Sequence, residues 1–288
     1  MGVEELERAL EQLAGQGSVP QDEIDLYGEI FQAQSRAKRE ISGKAPRLAR
    51  KKLEERLEQG QPLLSPEKVK IPLKGLEDLF KDICSALRKH DRESGPEVQV
   101  LEEARVKGKV NLAELARSAA LGEGKYCRDT GEKLMLRHEL LLFLGLSLAR
   151  PLFELWAENL RNRVKDDRWL RPYCPICGSE PYIAKLHRED GRRILGCPLC
   201  GTEWTFKRAE CPFCLNKDQK SLRYFFVDQD SPYRVDVCDV CKRYIKTVDE
   251  RKTDAAGTVL LVEDIATAYL DIVAEREGYV RAEQGAAA

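Results

Sequence analysis

The chain has 288 residues, of which 34% are charged and 7% aromatic, and its formal net charge is −1. A chain of this length can bury a real core without cysteines to rescue a miniature fold, and the near-neutral balance excludes a global polycation that would advertise nucleic acid. The opening MGVEELERAL has acidic residues but no basic or apolar run, and no stretch stays apolar for the roughly 18 residues a membrane span needs.

The expectation is therefore a soluble, cytoplasmic protein with no membrane insertion. The most apolar stretch, Leu134 to Trp156, is broken by Arg137, His138, Glu139, Arg150 and Glu154.

Residues 1–165 read as a helical domain. Val3, Leu6, Leu10 and Leu13 lay one apolar stripe along a first helix, which Gly15 and Gly17 end. Ser18 and Pro20 start a second, carrying Leu26, Ile30, Phe31, Ala37 and Ile41. A third is expected over 45–59 with Leu48, Leu53 and Leu57. Its outer face is basic through Arg47, Arg50, Lys51, Lys52 and Arg56, and reads as a solvated face. Gly60, Pro62, Pro66 and Pro72 mark a connector. Helical spacing resumes at Leu76, Leu79, Phe80, Ile83 and Leu87, then in two shorter helices over 97–106 and 111–121. Residues 132–164 form the most apolar helical stretch, which Pro151 should kink or split. Cys84 reads as a buried small apolar side chain and Cys127 as a loop residue open to solvent. His90 and His138 stand alone, without a second ligand at helical spacing, and read as structural or surface residues.

Helical periodicity stops at Asp166 and Asp167. Short β-prone runs follow at 182–183, 193–195, 203–206, 222–227, 233–237 and 244–248. Among them lie eight of the ten cysteines, as four Cys-x-x-Cys pairs: Cys174/Cys177, Cys197/Cys200, Cys211/Cys214 and Cys238/Cys241. Where thiols stay reduced, such pairs signal metal or redox chemistry rather than structural disulfides. Two thiolates two residues apart grip one ion from a tight turn, and two such turns complete a tetrahedral site. Eight ligands thus imply two metal ions in four-cysteine sites, iron or zinc, since the ligand type accepts both.

The cysteine stretch looks duplicated: CPIC and CPLC are separated by nineteen residues, CPFC and CDVC by twenty-three. Sequential pairing gives Cys174, Cys177, Cys197 and Cys200 as one site and Cys211, Cys214, Cys238 and Cys241 as the other; interleaved pairing is the alternative. Two rubredoxin-like or zinc-ribbon modules are expected, over 166–207 and 208–252. Gly178 and Gly201 permit the left-handed backbone that turns N–H groups toward sulfur. Leu215 and Lys242 stand at the same place in the other two turns, which should be less ideal.

Closed four-thiolate sites are structural before they are anything else, and each can stabilise its module by roughly 10 kcal/mol. A dithiol oxidoreductase would need a Cys-x-x-Cys opening a helix. A nucleic-acid module would need net positive charge. Residues 168–252 hold 17 Lys and Arg against 12 Asp and Glu, but eight thiolates with two divalent ions remove four charges and leave about +1. Lys185, His187, Arg188, Arg192 and Arg193 form a basic hairpin that reads as a solvated loop. A metalloenzyme would need an open coordination position and a nearby acid or base, and neither is evident.

After Gly257, one helix is expected within 253–282, with Val262, Ile265, Ala266, Tyr269, Ile272 and Val273 on its apolar face, then a loose tail at 283–288. The fold class is α+β: a helical bundle, two metal modules and a closing helix.

The ordered series YCPICGSEP, GCPLCGTEW, CPFC and VCDVCKRYIK, closed by VEDIATAYLDIVAEREGY, resembles the formate dehydrogenase accessory protein family, FdhE. The resemblance is strongest over about residues 170–282; at the N-terminus it rests on YGEIFQAQ. It implies a helical domain followed by two rubredoxin-like metal domains. It also implies a non-enzymatic, cytoplasmic maturation factor acting on the catalytic subunit of a respiratory formate dehydrogenase, which carries molybdenum or tungsten, a pterin and an iron–sulfur cluster. The family's cysteines fall on Cys174, Cys177, Cys197, Cys200, Cys211, Cys214, Cys238 and Cys241, with iron as the associated metal. The resemblance leaves oligomeric state open.

Overall fold

A computed structural model describes residues 2–41, 50–64, 71–72, 75–122, 124–164, 169–253 and 258–281. The chain divides into two compact units. The first comprises residues 1–47 and 65–159, the second 48–64 and 160–288. The expected start of the third helix (45–49), the change of texture at Asp166 and Asp167, and the tail at 283–288 lie outside the described residues.

The first unit is all helical among its described residues: α1 (Val3–Gln16), α2 (Gln21–Glu40), α4 (Leu76–His90), α5 (Gly95–Val106), α6 (Leu112–Leu121), α7 (Lys125–Leu134) and most of α8 (His138–Leu160). Leu6, Leu10 and Leu13 bury the expected stripe of α1, against α2. Leu79, Phe80, Ile83, Cys84 and Leu87 do the same for α4, which packs along α2. Asn111 caps α6, its side chain accepting from the Glu114 N–H at 3.1 Å. At Gly145 a Cβ would come within 2.7 Å of the Leu115 carbonyl oxygen, so a glycine is what lets α8 approach α6 so closely. Gln34, buried on α2, donates to the Ser147 carbonyl at 3.0 Å.

Two expectations change here. The apolar stretch breaks not at Pro151 but at Met135, whose φ of 55° ends α7 in the left-handed region. Pro151 sits inside α8, which runs on through it. Cys127 is not in an exposed loop: it lies on α7 and is 1% exposed. Its burial pushes the thiol up to about 11. Among the described residues one helix, His138–Arg163, is long and apolar enough to cross a membrane, but 72% of its apolar window is buried inside the protein.

The second unit is built on one sheet. Its strands are β1 (Ile183–Leu186), β2 (Arg193–Gly196), β3 (Glu203–Phe206), β4 (Leu222–Phe225), β5 (Tyr233–Cys238), β6 (Arg243–Asp249) and β7 (Val280–Arg281). The order is β3-β2-β1-β6-β5-β4. Each half is an antiparallel meander, and the halves meet where β1 pairs parallel with β6, Ile183 opposite Lys246. The two expected modules therefore share a continuous sheet. β7 takes the other end of the same β6 edge, Val280 opposite Arg243.

The closing helix is two helices, α9 (Leu260–Ala266) and α10 (Ala268–Arg276). They part at Thr267, whose hydroxyl bonds back to the Glu263 carbonyl at 2.6 Å, a contact that competes with continued helix. Leu270 and Ala274 are the residues α10 buries, whereas Tyr269 and Ile272 of the expected apolar face are exposed. Val235, Val237 and Tyr244 receive Leu270, Ala274 and Tyr279 in one apolar cluster. Lys246, 1% exposed, lies 2.8 Å from both Asp264 and Asp271, and Arg281 pairs with the same two carboxylates. This network ties α9, α10 and β7 to the centre of the sheet.

The helix α3 (Arg50–Glu58) also belongs to this unit. The residues after it reach the first cysteine turn: Leu63 N–H donates to the Pro175 carbonyl at 2.9 Å and Leu64 N–H to that of Ile176 at 2.7 Å. Leu63 and Leu64, at the start of the expected connector, thus lie along the first cysteine turn.

Candidate metal centre

Each Cys-x-x-Cys sits in the same turn. The N–H of the residue after the second cysteine donates to the first cysteine's carbonyl: Gly178 to Cys174 at 3.0 Å, Gly201 to Cys197 at 3.2 Å, Leu215 to Cys211 at 3.1 Å and Lys242 to Cys238 at 2.8 Å. All four of those residues are left-handed, with φ of 82°, 63°, 60° and 56°. Glycine does this freely. Leu215 and Lys242 adopt it against the clash of their own Cβ, so the turn geometry prevails over residue preference.

The turns bring the sulfurs together in two groups of four, Cys174, Cys177, Cys197 and Cys200, and Cys211, Cys214, Cys238 and Cys241, each within 4.8 Å. The grouping is sequential rather than interleaved. In the first group the Sγ···Sγ separations are 3.4 Å (Cys177–Cys197), 3.6 Å (Cys174–Cys200) and 3.7 Å (Cys177–Cys200). In the second they are 3.7 Å (Cys214–Cys238) and 3.8 Å (Cys211–Cys241). A tetrahedral ion bound about 2.3 Å from each sulfur would set them about 3.8 Å apart. These distances are too long for disulfides, and all ten cysteines are free. The two clusters are consistent with two metal sites.

Electrostatics in the first cluster point the same way. Burial pushes Cys174 and Cys177 well above an ordinary thiol, and neighbouring sulfurs add to it. Burial also works against ionising Cys197, yet the hydrogen bonds from Cys174, Cys177 and Cys200 hold its thiol well below the ordinary range. A thiolate at Cys197 is thus favoured by its hydrogen-bonding neighbours, while burial disfavours one at Cys174 and Cys177. Where these sulfurs bind metal, all four stand as thiolates.

The clusters differ in cover. Cys174, Cys177, Cys197 and Cys200 are all buried, whereas Cys214 is exposed and Cys241 partly so. Polar side chains beside the sulfurs differ too, and sequence reasoning passed over them. The hydroxyls of Ser179 and Thr202 lie 3.2 and 3.1 Å from Cys177 and Cys200 Sγ. In the second cluster Asn216 donates to Cys238 Sγ at 3.8 Å. All three stand two places after the second cysteine of a pair, so the signal was present in the extended strings CPICGS, CPLCGT and CPFCLN. Groups of this kind orient ligands and temper the charge on sulfur. The basic hairpin is also not wholly solvated: Lys185 is held by Glu203 at 2.8 Å and Glu250 at 3.2 Å, and Arg193 is buried.

Comparison with known proteins adds sequence to geometry. Residues 173–208 match the model of the FdhE central domain, and residues 209–286 that of the FdhE C-terminal domain. Residues 173–286 belong to the FdhE family. An FdhE homologue from Aquifex aeolicus is 33% identical over 149 residues, covering 51% of this chain and 51% of its own length. Protein FdhE from Escherichia coli O1:K1 is 34% identical over 114 residues, 38% of this chain and 36% of its own length. The matched segment thus spans about half the length of these curated relatives, or less. The crystal structure of the FdhE protein from Pseudomonas aeruginosa superposes with a TM-score of 0.64 at 20% identity, over 96% of this chain and 92% of that one. That likeness extends the shared FdhE fold to the helical unit.

Proposed function

We propose that this protein is a cytoplasmic, non-catalytic assembly factor that binds the catalytic subunit of a formate dehydrogenase and assists its maturation. The observation that carries the reading is the pair of four-sulfur clusters at tetrahedral spacing within an FdhE-family segment. In this reading Cys174, Cys177, Cys197 and Cys200 hold one iron or zinc ion, and Cys211, Cys214, Cys238 and Cys241 the other. The ions brace the sheet of the module as closed centres, four protein ligands leaving no position for substrate. The helical residues 1–165 and the metal modules over 166–207 and 208–252 present the surface that holds the immature subunit.

Co-purification with a tagged formate dehydrogenase catalytic subunit tests this: retention of the pair, and loss of formate dehydrogenase activity in a deletion strain, are expected. No association together with unchanged activity would sink it. A second reading, a redox role for the second centre, draws on the exposure of Cys214. Metal analysis and a visible spectrum of anaerobically purified protein separate the two. Thiolate-to-iron absorption with two irons per chain favours redox chemistry; two zincs and a colourless sample favour bracing alone.

A further inference from the structure

Beside the second cluster, Cys211 and Cys238 form part of the wall of a cavity of about 200 Å³ within the sheet unit. Five arginines stand on its wall. Two of these, Arg193 and Arg234, are 6% and 8% exposed. They share a single carboxylate: Arg193 Nη2 lies 3.4 Å and Arg234 Nη2 3.1 Å from Asp236. Asp236 also accepts from the Thr247 hydroxyl at 2.6 Å, so its oxygens are already in demand. Arg193 Nη1 donates to the Glu210 carbonyl at 3.1 Å. The Nε–H of both arginines is nevertheless buried without an acceptor among the described residues.

Orphaned donors of this kind are costly. A buried N–H lacking an acceptor forfeits its full hydration, more so on a charged group. Two buried guanidiniums face one carboxylate, and Arg234 also stacks on Tyr224, its Cζ 4.7 Å from the ring centroid, a contact that gives its Nε–H no oxygen acceptor. Arg208, also on the wall, donates to the Gly191 carbonyl at 3.3 Å rather than to an acid. The other two wall arginines are matched elsewhere, Arg223 by Asp239 at 2.7 Å and Arg243 by Glu180 at 3.2 Å.

We propose that this cavity is a binding site for a small oxyanion, a free carboxylate- or phosphate-class ion held by Arg193, Arg234 and Arg208. The planar guanidinium fork fits both anion geometries. At about 200 Å³ the cavity is below the range of roughly 300 Å³ and upward that accommodates drug-sized ligands, which suits a small ion rather than a protein segment. A divalent ion with four thiolates would put a net charge of −2 beside the same wall. That balances charge but gives the two Nε–H groups no oxygen acceptor. The inference is independent of the maturation role.

The test is calorimetric titration of the metal-loaded full chain, in low-chloride buffer, with inorganic phosphate and separately with acetate. One-to-one saturable binding of at least one anion is expected. Arg193→Lys and Arg234→Gln should each weaken it roughly 10- to 100-fold, the scale of a lost hydrogen bond to a charged group. Arg192→Gln, on an exposed residue outside the cavity, should leave it unchanged. Metal content and circular dichroism identify a variant that fails to fold. Arg208→Gln, at an exposed position, then carries the test with a smaller loss in affinity. No saturable binding of either ion, binding indifferent to all three cavity variants, or binding of an acidic peptide alone would overturn the proposal. So would cavity variants that lose metal while the parent protein binds neither ion.

Discussion

The two cysteine clusters come from one repeated pattern and have nearly the same sulfur spacing, yet they sit in different surroundings. The first is covered on every ligand. Leu63 and Leu64 of the connector bond to the backbone of its first turn, and the Tyr173 hydroxyl donates to the Gly60 carbonyl at 2.7 Å. A Cβ on Gly178 would meet Pro62 at 3.1 Å, so the cover is close. The second cluster leaves Cys214 exposed and is flanked by an arginine-lined cavity. A duplicated ligand set therefore does not dictate a duplicated environment. The ligands fix the coordination geometry, while neighbouring chain decides access, and access separates a brace from a site that can exchange or respond.

The largest expected difference is in folding. Cys177→Ala should lose one metal and unfold the first half of the sheet, up to about 10 kcal/mol of metal-coupled stability. Cys214→Ala should also lose one metal but leave the melting of the remainder nearly intact. Metal stoichiometry and thermal melts read both. Equal damage from the two variants would erase the distinction between the clusters.

Thiol reactivity comes next. In chelator with excess maleimide, Cys214 should be labelled at least about a hundredfold faster than Cys174, because the covered site reacts only through local opening. Peptide mapping by mass spectrometry gives the order, and labelling of Cys174 first would break the comparison.

A smaller effect is expected beside the sulfurs. Thr202→Val removes a hydroxyl 3.1 Å from Cys200 Sγ and should weaken metal affinity at the first cluster about tenfold. Competition with a coloured chelator measures it, with the second cluster as internal control.

The smallest is a gain. Leu215 holds φ of 60° and is 46% exposed, so Leu215→Gly relieves backbone strain with little loss of packing. It should stabilise the second half by about 1 kcal/mol in denaturant titration. A loss of stability would mean that the leucine side chain makes a contact worth more than the strain.

Most of this architecture was legible from local pattern. Six strands fall where short β-branched and aromatic runs stand between turn residues, and Leu6, Leu10, Phe80 and Ile83 face inward as their spacing requires. The eight clustered cysteines sort into two groups as the repeat suggests. What escaped has physical causes. Helix α7 buries Cys127, Thr130 and Gly131, small residues that leave no apolar stripe to read. Its end at Met135 needs a left-handed residue that is not glycine. The β1–β6 seam joins strands about sixty residues apart, and a parallel pairing leaves no turn between its partners to betray it. Arg193 read as part of a solvated basic hairpin because nothing local announces that a fold will bury it.

That seam also has a consequence for synthesis. A chain emerging from the ribosome completes β1, β2, β3 and the first four cysteines well before β6 exists, so the first four sulfurs can come together while one side of β1 is still unpaired. An unpaired strand edge is an invitation to mispair with a neighbouring chain. β6 must arrive to close it, and only then does β7, at Val280–Arg281, fill the remaining end of the same edge. Early assembly of the first four sulfurs followed by late edge closure sets an order of events, in which the nascent protein is most prone to aggregate before the second half of the sheet is made.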